Sequence, residues 1–178
     1  QDDTHLTFIP SVNVPDKNGV GPHTAGQETS EYVLDAFDVI ALSPDVRDKD
    51  LTGTVVQADK PVVVFGGHQC ANTPNGVYGY CDHVEEQMLP LTAWGTSAVL
   101  ARHEPRTPCL NGEDLVIWRI IAGADGMSVT FDPPVPDFPA EIDAPPSPGA
   151  KHAFAQQGDV LEFWASGDHY AEGVLDNP

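Results

Sequence analysis

Positive charge is what this sequence has least of. Eight Lys and Arg stand against 27 Asp and Glu in 178 residues, a formal net charge of −19 near neutral pH. A protein that grips nucleic-acid phosphates needs the opposite sign, so DNA and RNA are excluded as partners, and anionic membrane surfaces are disfavoured for the same reason. Long apolar runs are also missing. The longest, such as Val62-Val63-Val64-Phe65, fall far short of a bilayer span, so no membrane insertion is expected. The opening residues Gln1-Asp2-Asp3 show neither a basic nor an apolar leader segment, as expected of a processed chain or a piece of a longer one.

The familiar local markers of catalysis are absent too. There is no G-x-S-x-G elbow, no phosphate-binding G-x-x-x-x-G-K-[ST] and no H-E-x-x-H; His103-Glu104 runs into Pro105. Gly19-Val20-Gly21 is followed by Pro22, which cannot open the helix a dinucleotide site requires. The acidic run Asp45-Val46-Arg47-Asp48-Lys49-Asp50 lacks the glycine and terminal Glu of an EF-hand loop, leaving calcium binding by acidic loops only as a general possibility. The acidity is spread evenly, −10 over residues 1–89 and −9 over 90–178, in keeping with a solvated acidic surface. No enzyme is therefore expected.

What is present is strand. Seventeen prolines and sixteen glycines interrupt any long helix. Between them, β-rich runs predict strands over 32–42, 53–58, 61–67, 97–103, 115–122, 127–132, 151–155, 159–165 and 169–175. Asp59-Lys60 is read as a tight turn between the second and third, and Gly123-Ala124-Asp125-Gly126 as a hairpin turn between 115–122 and 127–132. Val62-Val63-Val64-Phe65 reads as a strand buried on both faces. Asp82 as a cap and Glu85 as its partner predict one short helical turn near 83–89, stopped by Pro90. The expected class is all-β, an antiparallel β-sandwich-like fold. It would form one compact β-rich module over 1–178, or part of a larger one, with a sub-boundary near 90–96. Seven prolines in 133–148 mark an extended surface loop or linker. Trp94, Trp118 and Trp164 read as core or rim residues rather than a sugar-stacking platform, with Trp94 expected to be buried.

The chemistry-bearing stretch is 66–94. Cys70 and Cys81 lie eleven residues apart around Ala71-Asn72-Thr73-Pro74-Asn75-Gly76, a turn-rich segment suited to a disulfide-stapled loop, and Cys109 makes the cysteine count odd. The order His68-x-Cys70 and Cys81-x-His83 is mirrored. If the cysteines face each other, two-residue alternation sets His68 opposite His83. Three readings follow. In one, a disulfide is flanked by structural histidines. His68 and His83 with Glu86 or a neighbouring carboxylate could instead hold a transition metal such as zinc or copper beside the disulfide. Or all four residues form a reduced Cys2His2 site, although the spacing differs from that of a zinc finger.

The strings Asp50-Leu51-Thr52-Gly53-Thr54-Val55-Val56, Asp59-Lys60-Pro61-Val62-Val63-Val64-Phe65-Gly66-Gly67-His68-x-Cys70 and Cys81-Asp82-His83-x-x-Glu86-Gln87-x-x-Pro90-x-x-x-Trp94-Gly95 resemble the IgGFc-binding protein N-terminal domain family. Tyr32-Val33-Leu34-Asp35-Ala36-Phe37-Asp38-Val39-Ile40-Ala41-Leu42 fits the strand before them. That family occurs in a mucin-like mammalian secreted protein and in many bacterial surface or secreted proteins. The resemblance implies a β-rich, secreted or cell-surface module without enzymatic activity or cofactor, acting in adhesion or structure by recognising protein or glycan through its loops. It also implies further domains of the same polypeptide and a Cys70–Cys81 disulfide with Cys109 left over. Asp50, Gly53, Phe65, Gly67, His68, Asp82, His83, Glu86, Gln87 and Trp94 are the motif residues, expected to be structural. The competing reading is a metal-binding domain or metal-dependent enzyme built on His68, His83 and Glu86.

Overall fold

A computed structural model describes residues 1–17, 19–44, 49–72, 81–103, 115–137 and 145–176. Cys109, Glu104-Pro105, most of the Asp45–Asp50 run, residues 73–80 and the centre of the proline-rich segment lie outside the described residues. The protein is all-β and antiparallel, with two compact units, Gln1–Pro90 and Leu91–Pro178.

In the first unit, β1 (Thr4–Ile9) sits between β2 (Tyr32–Leu34) and β3 (Val55–Ala58). Leu6 lies opposite Tyr32 on one side and Ala58 on the other. β1 is not among the strands expected above, although its alternation is regular. Thr4, Leu6 and Phe8 turn inward, whereas His5, Thr7 and Ile9 are half-buried. Phe8 is the centre of this small core. His23 meets its ring edge-on at 4.9 Å, Tyr32 stacks on it at 5.7 Å, and the Tyr32 hydroxyl bonds His23 Nε2 at 2.9 Å.

β2 stops at Leu34 instead of running to residue 42. The Asp38 carboxylate accepts the Asp35 N–H at 2.9 Å and the Asp38 N–H bonds the Asp35 carbonyl at 3.1 Å, so local turn bonds replace the ladder. Asp59-Lys60 is not a hairpin turn either. The Asp59 carboxylate accepts the His5 N–H at 2.8 Å, and Lys60 Nζ reaches the carbonyls of Asp2 and Asp3. Both residues therefore secure the end of β3 to β1, and the chain leaves that sheet before β4 (Phe65–Ala71) pairs with β5 (Asp82–Gln87).

The second unit begins with a single 3₁₀ turn, Leu91–Ala93, followed by β6 (Ser97–Leu100), β7 (Val116–Ile121), β8 (Met127–Val135), β9 (Gly149–Ala153), β10 (Val160–Ala165) and β11 (His169–Leu175). Strand order β6-β11-β8-β9 makes one sheet and β7-β10 the other. Phe131 of β8 and Phe163 of β10 meet at 5.2 Å and 70°, surrounded by Leu100, Val129, Val135, Phe154, Leu161 and Ala171. This is a small sandwich with aromatic edge-to-face packing at its centre.

The expected β7–β8 hairpin does not form. β7 pairs with β10 along its whole length, Val116 with Ala165 through Ile121 with Val160. The 123–126 segment instead carries the chain from one sheet to the other. There the Asp125 carboxylate accepts the Gln157 N–H at 2.8 Å and Gly126 N–H bonds the Ala155 carbonyl at 3.1 Å. β8 also continues through Pro133-Pro134 to Val135, where a loop was expected. Its ladder to β9 skips from Thr130–Lys151 to Val135–Gly149, since the prolines have no N–H to give. Across the sheet, Ser128 Oγ and Lys151 Nζ both bond Asp176 Oδ1, at 2.8 and 3.0 Å. The lysine bond first, then the serine, holds the Asp176 carboxyl below its usual range.

Candidate functional site

The motif residues of 50–87 fall into a turn and a two-stranded ribbon. In the turn, the Asp50 carboxylate accepts the Thr52 N–H at 2.9 Å, Thr54 N–H bonds the Leu51 carbonyl at 3.0 Å, and Gly53 takes φ +87°. A side chain at position 53 would strain that backbone, so Asp50 and Gly53 serve the turn that launches β3.

The ribbon is the β4–β5 pair, closed by a disulfide between Cys70 and Cys81 with Cα atoms 5.0 Å apart. The segment expected to form a helical turn near 83–89 is mostly strand β5. Among the described residues, the helical turn lies just past Pro90, at Leu91–Ala93. A strand partner held across a short disulfide loop satisfies more backbone groups than a lone capping box can.

Register decides the histidine question. Phe65 faces Gln87, Gly66 faces Glu86, Gly67 faces Glu85 and His68 faces Val84; the next pair is Ala71 with Asp82. Gln69 and Cys70 therefore lie opposite His83 alone, a β-bulge that places one extra residue in β4. A slip of one residue moves side chains to the other face. His68, Val84 and Glu86 share one face, while His83, Glu85, Gln87 and Phe65 share the other.

The alternation that set His68 opposite His83 is thus corrected by the bulge. His68 Nδ1 accepts the Cys70 N–H at 3.0 Å, and His83 Nε2 meets Glu85 Oε2 at 3.3 Å. His68, His83 and Glu86 do not converge. Among the described residues, no group of three or more His, Cys, Asp or Glu is placed to hold a metal ion. Cys70 and Cys81 are bonded to each other, whereas the reduced Cys2His2 arrangement needs both as free thiolates.

Two glycines permit the close approach of the strands. A Cβ on Gly67 would sit 2.9 Å from the Val84 carbonyl oxygen, and one on Gly66 would press the Met88 methyl at 3.3 Å. The ribbon's remaining surface is open. Phe65 is 64% exposed on one face, with Val84 at 47% on the other, and Met88 continues that second face. The reading of Val62-Val63-Val64-Phe65 as a strand buried on both faces fails here, because Val62–Val64 precede β4 and lie in no strand, and Phe65 opens a strand that, among the described residues, pairs with β5 alone. The apolar residues at 84 and 88 were not singled out above, although their even spacing with Glu86 was a legible signal.

Trp94, in the second unit, is 43% exposed and not buried as expected. Its ring lies beside Gly123, where a Cβ would meet it at an ordinary contact distance of 3.5 Å, and the Trp94 backbone N–H bonds the Leu91 carbonyl at 3.0 Å. Trp164 is buried and Trp118 packs against the sandwich core.

The family model described as "IgGFc binding protein" matches residues 1–172. The human IgGFc-binding protein (Homo sapiens) is 37% identical over 93 residues, a stretch that is 51% of this chain but 2% of the human protein. No solved structure matches. With nearly the whole chain matched by the family model, and its motif residues from Asp50 to Gln87 lying in one turn and one disulfide-bonded ribbon, the chain belongs to the IgGFc-binding protein family.

Proposed function

We propose that this chain is an extracellular, non-enzymatic binding module, secreted or displayed at a cell surface, that recognises a protein partner through its β4–β5 ribbon. The observation that carries the reading is the ribbon itself. Two short strands, joined to each other by a disulfide, present Phe65 on one face and Val84 and Met88 on the other. Large apolar side chains held in water on a cross-linked scaffold favour association, because burial on a partner is favourable and the ordering cost has already been met. The charged rim of Asp82, Glu85 and Glu86 adds orientation. The name of the human relative indicates a protein ligand for that protein, and a protein-binding role for this chain is consistent with it.

Surface plasmon resonance on the immobilised chain tests the reading, with purified human IgG Fc as the probe. The expected result is saturable binding that falls about tenfold or more on Phe65→Ser or Val84→Ser, as for central interface residues. Absence of binding, or binding indifferent to both substitutions and to reduction of the disulfide, would count against the ribbon as the contact surface.

A further inference from the structure

The turn that ends β2 carries a side chain the fold does not use. Phe37 is 100% exposed and its φ is +76°, the left-handed region that a bulky residue adopts only at a cost. Full exposure gives it no packing energy to offset that strain. The backbone around it is nonetheless tightly held. Asp35 N–H bonds the Asp38 carboxylate at 2.9 Å, Ala36 N–H bonds the Asp2 carboxylate at 2.9 Å, and Asp3 N–H bonds the Asp35 carboxylate at 3.0 Å. Val39, also exposed, extends the apolar surface.

We propose that the 35–38 turn is a pre-formed anchor that inserts Phe37 into an apolar pocket rimmed by Lys or Arg on a protein partner. The proposal rests on the protein-binding reading above and adds a second contact point with its own partner chemistry. An aromatic ring with few rotatable bonds, on a turn already fixed by hydrogen bonds, loses little entropy when buried. The carboxylates of Asp2, Asp35 and Asp38 are bonded to the backbone of this turn and of the strand start beside it, and each retains acceptor capacity beyond the N–H it already takes. The cation bonded nearby, Lys60 Nζ, is occupied by the carbonyls of Asp2 and Asp3. A basic rim complements the acidic groups gathered at this turn. A second copy of this chain, at −19, and an anionic lipid surface would both be repelled.

The test pans a phage-displayed library of small folded scaffolds, one face randomised, on the disulfide-bonded 178-residue chain. Selected clones are then measured against Phe37→Gly and Phe65→Ser. Expected are clones rich in Lys or Arg around apolar positions, binding Phe37→Gly about 30-fold or more weakly than wild type. Their binding should also weaken in about 0.5 M salt, where exposed charges are screened. Phe37→Gly itself should melt at an equal or higher temperature, because glycine takes positive φ without strain, so lost binding would not reflect lost fold. Clones that bind Phe37→Gly as tightly as wild type overturn the anchor. If the same clones lose Phe65→Ser, the ribbon reading survives while this one falls. Enrichment of acidic or uncharged clones, or wild-type self-association abolished by Phe37→Gly, overturns the basic-rimmed partner.

Discussion

Reducing the Cys70–Cys81 disulfide should open the β4–β5 ribbon while leaving the Phe8 core and the Phe131–Phe163 sandwich folded. The ribbon's strands are exposed along nearly their whole length, so little apolar burial holds them. An isolated two-stranded hairpin is marginal in water. The bridge closes a loop with a sequence separation of 11. In the chain-entropy account, a loop of that length is worth about 2.8 kcal/mol at 25 °C. Divided by about 1.4 kcal/mol per decade, that is roughly a 100-fold rise in the open population of the ribbon. Native-state hydrogen exchange of oxidised and reduced protein is the assay, reading Phe65–Ala71 and Asp82–Gln87 against β1 and β8. Protection in the ribbon should fall by about two decades, with the reference strands within about a factor of three, as expected for local opening. Unchanged ribbon protection after reduction would show that contacts other than the disulfide hold it, and would refute the reasoning. A uniform loss in every strand would refute it from the other side, by making the ribbon part of a single cooperative unit.

Two further outcomes follow from the cores and the titratable groups. Phe163, fully buried against Phe131, should cost about 3–5 kcal/mol when replaced by Ala, read from a denaturant titration of the second unit's fluorescence; a change below about 1 kcal/mol would place the sandwich core elsewhere. His5 is bonded to Glu31 at 2.7 Å and lies near Asp3; the Glu31 hydrogen bond, then its charge, raises the His5 pKa above 6.5. Its stabilising contribution is therefore fully present below pH 6.5 and lost as pH rises through the raised value. The melting-temperature advantage of wild type over His5→Gln should shrink accordingly between about pH 5 and about pH 9, and an advantage that grew with pH would contradict the pairing.

Much of the class and identity of this chain was legible in its residues. Frequent proline and glycine, short β-branched runs and the absence of capped helical periods specify an all-β protein, because these are local steric properties that need no partner. Strands β6 to β11 lie close to the runs that predicted them. Two cysteines eleven residues apart around a turn-rich segment announce the staple, and the Asp50 to Trp94 motif identifies the family.

Partnership and facing were decided only in three dimensions. A strand's propensity does not name its neighbour, so β7 could be located but not assigned to β10, and Val62-Val63-Val64-Phe65 could be read as a buried strand although the strand starts only at Phe65. Side-chain direction in a strand has a period of two, so the single extra residue at Gln69-Cys70 sets His68 and His83 on opposite faces, where spacing alone had placed them side by side. The same limit hid Phe37. Its letters read as the middle of an apolar strand, whereas the Asp35–Asp38 bonds, tied down by distant Asp2 and Asp3, make a turn that holds the ring out in water. Local sterics are written residue by residue, whereas register and exposure depend on contacts between segments far apart in the chain.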